Sequence, residues 1–509
     1  MNHQRLNWME AEFESANVRL GEATWNTYSG EGVPDLDRAQ EQLASLLTDE
    51  SDRRMVEQWL SLADPAKEPV LFRRLIIWRN CFIGSAVDNV PELYNLKNRL
   101  QRRIAEFEFE FEGRKALRSE LQKIQRTDPD RGRRHRAWLA TAPLAAANRD
   151  DLRRLIALRN RKSRNLGFRD YVDLVLKLQE IEEGWLRSTL HHLAETCRPL
   201  YAATLASLAD RIGISRMAPW DVSFAIRQGI QLADSFFPSD RTLERLFSTS
   251  KALGFEVDSL PIRTLVRDIP FGGYNVAVKI PGDTRFLVNP SEGQAFYTTT
   301  FHEYGHSLQA VFTATPWPIL KEYEWVMGAH TAAYSEGMAE VMGDFVRRAD
   351  WLSSVAGVPD AEIERYESQV LPAQSVIRLF DLLSNMYMEL AAYSESGEDL
   401  GARDRTVMRE IRLLEFPDED PPLWEANTWY TSYPVYWQNY ILASLIAAQI
   451  HNAITTRFGL SASSNPGIAK YLQENFYSRG NEIPWNDRVV RGTGKPLADD
   501  SYLHRILNR

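Results

Sequence analysis

Apolar side chains recur every three or four positions, with charge between them, over residues 37–62, 67–82, 91–126, 148–160 and 178–211. That period puts one face of each segment in a core and predicts amphipathic helices. Gly and Pro are sparse inside these stretches. DPDRGRRHR, at 128–136, is basic and turn-rich, and reads as a solvated loop between helices rather than a binding patch. No internal repeat or low-complexity tract interrupts the pattern.

The rhythm shortens after about residue 254. GFEVDSLPIRTLVRDIP is rich in β-branched residues, and GGYNVAVKIPGDTRFLVNP (272–290) contains two alternating segments, VAVKI and TRFLV, around the turn PGD. Alternation with a turn between predicts a small β-hairpin. Its second strand leads almost directly into FHEYGHSLQ (301–309). Helix returns at about 298, where Thr298 to Thr300 offer a capping hydroxyl, and stops before Pro316 and Pro318. Another helix is expected over about 329–354. RGTGKP (491–496) imitates a phosphate loop, but Val489 stands where the first glycine belongs and Pro496 replaces the Ser or Thr that would meet magnesium. It reads as a C-terminal turn. The fold class is therefore mainly α, with a small β-hairpin beside the helix that carries the histidines.

Composition narrows the function classes. The chain has 509 residues, enough for a large core, and a formal net charge of −9, which argues against nucleic-acid binding. Cys81 and Cys197 are the two cysteines, too few for a disulfide framework, with no CxxC to hold a metal. The first residues, MNHQRLNWMEAEFES, lack the apolar run of a signal peptide, and no stretch of about 18 apolar residues spans a membrane. The cytoplasm is the expected location, with no membrane partner. Oligomeric state is not encoded in any of these features.

The chemistry lies at His302, Glu303 and His306. Histidines four apart on a helix share a face one turn apart, so both rings can point at one ion. Zinc takes imidazole at about 2.0–2.1 Å and prefers four ligands. Glu303, next to the first histidine, sits where it can take a proton from water at the ion. Phe301, Leu308 and Phe312 face the other way, into a core. A catalytic zinc site needs a third protein ligand. HExxHxxGxxH is absent, because residue 309 is Gln and no His stands at 312. YSEGMAEVMGDF (334–345) offers Glu336 and Glu340 on one face of an apolar helix. Carboxylates there are costly unless paired or metal-bound. Glu336 is the expected third ligand, and Glu340 is expected to accept the free N–H of a ligating histidine. Glu322 and Glu324 lie nearer in sequence, but in a Pro- and Trp-rich connection that makes a poorer platform.

HEYGH with Glu336 on a second helix, GGYN and the extended RFLVNP before them, resembles the thimet oligopeptidase and oligoendopeptidase F family of zinc metallopeptidases, and more distantly angiotensin-converting enzyme. LRNRKSRNLGFRDYVDL (158–174) and APWDV (218–222) have the flavour of bacterial members. The resemblance is carried by residues 272–345 and 429–446. It implies two helical lobes flanking a deep channel, zinc at its floor, and oligopeptide substrates. The chain is expected to divide into an N-terminal helical region (1–160) and a catalytic region (161–509) joined as one intertwined unit.

The family also carries late tyrosines that reach the tetrahedral intermediate. WYTSYPVYWQNY (429–440) supplies Tyr430, Tyr433, Tyr436 and Tyr440. Tyr433 and Tyr436 repeat the Tyr-x-x-Tyr spacing of the angiotensin-converting enzyme group, so the resemblance makes Tyr436 the first choice as oxyanion donor, with Tyr440 next. Gly272, Gly273 and Tyr274 are expected beside the cleft, and the RFLVN strand as an edge for substrate. His330 resembles a histidine that some relatives carry before the third ligand. One feature departs from the family: residues 420–432 hold no histidine ahead of the tyrosines. LWEAN (423–427) also lacks the lysine that grips a substrate carboxylate in the angiotensin-converting enzyme group, which favours internal cleavage of short peptides. The alternatives are a C-terminal exopeptidase (carboxypeptidase or dipeptidyl carboxypeptidase), an inactive peptide-binding protein, and a zinc hydrolase of another amide.

Overall fold

The structure, a computed structural model, describes residues 3–33, 35–269, 271–394, 397 and 399–507 and is mainly helical. It opens with α1 (His3–Ser29), which the sequence reading did not pick out; Leu6, Met9, Phe13, Ala16, Leu20 and Ala23 keep a three-four spacing along its buried face. The stretch 37–62 divides into α2 (Leu36–Leu47) and α3 (Glu50–Leu62), because Asp49 between them caps the second helix through the Ser51 and Asp52 amides. With α4 (Pro69–Asp88) they enclose a core that also takes in Ala277 and Ile280.

Two expectations fail in the next segment. Residues 91–126 do not form one helix. After α5 (Pro91–Glu106), β1 (Phe109–Phe111) and β2 (Arg114–Ala116) pair antiparallel before α6 (Arg118–Thr127). The cause is legible in AEFEFEFEG (105–113): Phe and Glu alternate with period two, Phe109 and Phe111 are buried, and Gly113 turns the chain at φ +76°. The basic stretch at 128–136 is no solvated loop. It enters α7 (Arg131–Leu139), whose Arg134 is buried against Asp221 at 2.8 Å.

Two long helices follow, α8 (Ala142–Asn165) and α10 (Glu183–Arg211), with the short α9 (Tyr171–Leu178) between them. Residue 160, the expected regional boundary, lies inside α8. After α11 (Val222–Gly229) and α12 (Thr242–Ala252) comes β3 (Ile262–Val266), then the expected hairpin, β4 (Gly273–Lys279) and β5 (Asp283–Val288). The sheet order is β3-β5-β4, with β3 parallel and β4 antiparallel to β5. Val276, Val278 and Leu287 pack on Trp25 of α1, while Phe286 joins the main core. The sheet thus joins the N-terminal helices to the histidine-bearing helix.

That helix, α13 (Gln294–Phe312), starts four residues earlier than expected, after Gly293 at φ +83°. Thr298 and Thr300 do not cap it; their hydroxyls bond back to Gln294 and Phe296 carbonyls one turn earlier. Next, α14 (Ala332–Phe345) is shorter than the expected 329–354, and α15 (Ala349–Trp351) and α16 (Asp360–Arg365) follow. The remainder comprises α17 (Leu371–Tyr393), α18 (Leu400–Thr406), α19 (Trp429–Ser432), α20 (Trp437–Phe458), α21 (Gly467–Leu472), α22 (Trp485–Thr493) and α23 (Asp500–Leu507). Arg491 to Thr493 close α22 and Gly494, at φ +83°, turns the chain after it. The largest core runs from Val87 to Ile506. No helix among the described residues is long and apolar enough to cross a membrane.

Candidate metal centre

Helices α13 and α14 pack side by side because Gly305 lets them. A Cβ there would stand 2.7 Å from Ala339 Cα. At that approach Glu336 faces the histidines. His302 Nε2 lies 3.3 Å and His306 Nε2 3.8 Å from Glu336 Oε2. One ligand atom from each residue falls within 4.8 Å of the others. A tetrahedral ion with bonds of about 2.0–2.1 Å needs edges of roughly 3.3 Å. The His302 edge meets that already, and the others need a modest contraction. Two imidazoles and a carboxylate are also the donor set of a catalytic zinc site, so the residues fit the ion. His306 Nδ1 meets Ser335 Oγ at 3.2 Å, which orients the ring.

The electrostatics follow from burial. Burial raises the Glu336 carboxyl, but His302, His306 and the Tyr436 hydroxyl together outweigh it and hold it at about 2. His306 is pushed down to about 4 by burial. Burial also lowers His302, yet its bond to Glu336 leaves it above the usual value. Glu303, buried beside His302, is pushed up to about 7. A carboxyl poised there can both take and return a proton near neutrality. Gly273 of β4 lies against it, since a Cβ there would come within 2.6 Å of Glu303 Cγ. Asn275 Nδ2 donates to the Glu303 carbonyl at 3.1 Å and to Ser307 Oγ at 2.6 Å, tying β4 to α13.

The other expected residues distribute as follows. Tyr436 Oη donates to Glu336 Oε1 at 2.8 Å. Tyr433 and Tyr440 flank it at ring distances of 5.9 and 5.4 Å, and Trp429 contacts all three. Tyr430 turns away, donating to Asn385 Oδ1 at 3.1 Å. Tyr274 packs on Tyr28, Phe271 and Trp325, and Gly272 is exposed next to Thr299. His330 lies close enough for its charge to weigh on His306, and its Nδ1 is buried with no partner among the described residues. Glu340 takes a different role from the expected one. Its carboxylate accepts from Arg378 at 2.8 Å and Ser444 at 3.0 Å, and it is Ser335 that meets a histidine ring nitrogen. Glu322 is held by Arg488 at 2.6 Å, away from the cluster. Glu324, set aside in the sequence, stands beside it: burial, then the charges of Glu336 and Glu303, push its carboxyl up to about 8.

Residues 124–257 match the model of peptidase family M3, a span that includes 158–174 and 218–222 but not His302 or His306. No curated protein matches the chain. Solved structures match nearly end to end. A candidate oligoendopeptidase F aligns over 99% of this chain and 95% of its own, with TM-score 0.69 and 16% identity. An M32 carboxypeptidase from Deinococcus radiodurans R1 aligns over 99% and 98%, with TM-score 0.65 and 14% identity. Metallocarboxypeptidase 1 of Trypanosoma cruzi aligns over 99% of both chains, with TM-score 0.66 and 13% identity. At these identities the neighbours show a shared fold, and the family match over residues 124–257 points to a peptidase.

Proposed function

We propose that this chain hydrolyses peptide bonds in short oligopeptides, with zinc held by His302, His306 and Glu336. The reading rests above all on the convergence of His302 Nε2, His306 Nε2 and Glu336 Oε2 beside a buried Glu303. Zinc bound there supplies Lewis acidity, which eases deprotonation of water and polarises a carbonyl. Glu303 takes the proton from the attacking water and returns it to the leaving amine. Tyr436, with its hydroxyl already at Glu336, donates to the oxygen that gains charge, and Tyr440 and Tyr433 flank it. Gly272, Gly273 and Tyr274 border the same region, and His330 backs His306. Glu340 acts at one remove, holding Arg378.

Internal cleavage is the preferred mode. Residues 423–427 carry no cation, and Glu425 among them is buried against Arg149 at 3.1 Å. A second reading, removal of C-terminal residues, is favoured by Arg378, whose side chain is 40% exposed beside Glu340. A guanidinium there is the group to which a substrate carboxylate would go. The test is one peptide with its C-terminus free or amidated. Equal cleavage supports the internal mode; loss on amidation, together with loss of the free peptide's cleavage in Arg378→Met, supports the second.

A further inference from the structure

The loop before α20 bends where bending is costly. Val435, β-branched and fully buried, sits at φ +54°, a region that such residues rarely enter. A conformation of that kind persists only where the surroundings over-determine it, and such sites cluster around function. Three buried side chains do so here. Arg159 of α8 donates to the Tyr430 and Thr431 carbonyls at 3.0 and 2.8 Å. Gln438 Nε2 donates to the Val435 carbonyl at 2.6 Å. On the other side of the turn, Glu389 of α17 accepts the Val435 N–H at 2.7 Å, and the Tyr436 N–H also bears on its carboxyl. Glu389 is 1% exposed, and its second oxygen finds no partner among the described residues. Among the described residues no ion pair holds this buried acid, although the Arg159 charge lies near enough to bear on it. The residue after the held amide is Tyr436, whose hydroxyl meets Glu336.

We propose that Glu389 is a positioning residue: its carboxyl holds the left-handed turn at Val435 and thereby sets the Tyr436 hydroxyl against Glu336. The consequence for rate rests on the peptidase reading; the holding itself does not. What the turn needs is an acceptor oxygen at one reach, not a charge. Burial pushes the Glu389 carboxyl up to about 8, so it is mostly protonated at neutral pH. Glu389→Gln keeps the oxygen where it is. Glu389→Asp keeps the acid but withdraws it by one methylene.

Two readouts separate the outcomes. Amide exchange, measured on metal-free protein, should rise in peptides covering 433–440 for the Asp variant, stay at the wild-type level for Gln, and stay unchanged in α13 for both. In the metal-loaded enzyme, the Asp variant should lose roughly 10- to 100-fold in kcat with KM little changed, as expected of a misplaced catalytic group. In a Tyr436→Phe background the same substitution should add less than about threefold, because the group it positions is gone. Unchanged exchange in the Asp variant, equal damage by Gln, or full additivity with Tyr436→Phe would each overturn the proposal. A wild-type chain that cleaves no peptide would overturn the peptidase reading, and exchange would still decide the role of Glu389.

Discussion

His306 turns its Nδ1 to Ser335, the residue directly before Glu336, the proposed third ligand, and that bond leaves Nε2 aimed at Glu336. A ligand's orienting partner typically contributes about 10- to 100-fold in metal affinity. Ser335→Ala should therefore weaken zinc by that order in a chelator competition, while Glu340→Gln, which alters the grip on Arg378 and Ser444, should cost less. The reverse ranking would return the orienting role to Glu340. At this scale the sequence revealed what spacing encodes. His302, Glu303 and His306 lie on one turn, and Glu336 is marked by a carboxylate on an apolar helix. Ser335 and Glu389 carry no such mark. A serine or a glutamate in a helix is ordinary, and the contacts that single these out join residues 29 and 46 positions apart. Glu324 lies in a Pro- and Trp-rich connection that is a poor platform by sequence, yet the chain folds it near enough for the Glu336 and Glu303 charges to act on it.

Helix α13 is positioned by two close approaches, and they predict different failures. At Gly305 the obstacle to a side chain is the backbone of α14. Gly305→Ala must push the helices apart, so it should lose stability by about 1–3 kcal/mol and weaken zinc as Glu336 recedes. At Gly273 the obstacles are the Glu303 and Thr299 side chains. Gly273→Ala should displace Glu303, lower kcat and leave zinc content unchanged. Urea unfolding, metal analysis and kinetics on both variants check this; zinc loss in Gly273→Ala with none in Gly305→Ala would contradict it. The long amphipathic segments and the hairpin at 273–288 were legible because their periods are regular. The failures have physical causes: Phe–Glu alternation at 107–112 was subsumed in a helical window, and α7 is held by the buried Arg134–Asp221 pair, a contact across 87 residues. The third strand, β3, pairs in parallel with β5, a partner that its own sequence does not reveal.

Across the whole molecule, several buried or half-buried acids keep their protons near neutrality. Burial pushes Glu303 and Asp404 to about 7, and Glu324 and Glu389 to about 8. Unfolded, these groups lose their protons near 4, so between there and pH 8 the folded state holds more protons. Stability then falls as pH rises through 7 to 8. His306 and His451, both lowered to about 4, act in the opposite sense, but only below the ordinary histidine value of 6.5. Metal-free protein should therefore have a lower urea midpoint at pH 8 than at 6.5, and Glu389→Gln should flatten that slope. A midpoint that rises with pH would contradict the burial of these carboxyls. The proposed chemistry is that of a metal which Glu303 serves without binding. Its most direct test measures zinc per chain and peptide cleavage together in the wild type and in Glu303→Gln. About one zinc in each, with cleavage abolished in the variant and restored to chelated wild type by added zinc, is the predicted result; a Glu303→Gln chain that still cleaves, or a wild type that holds no zinc, would contradict it.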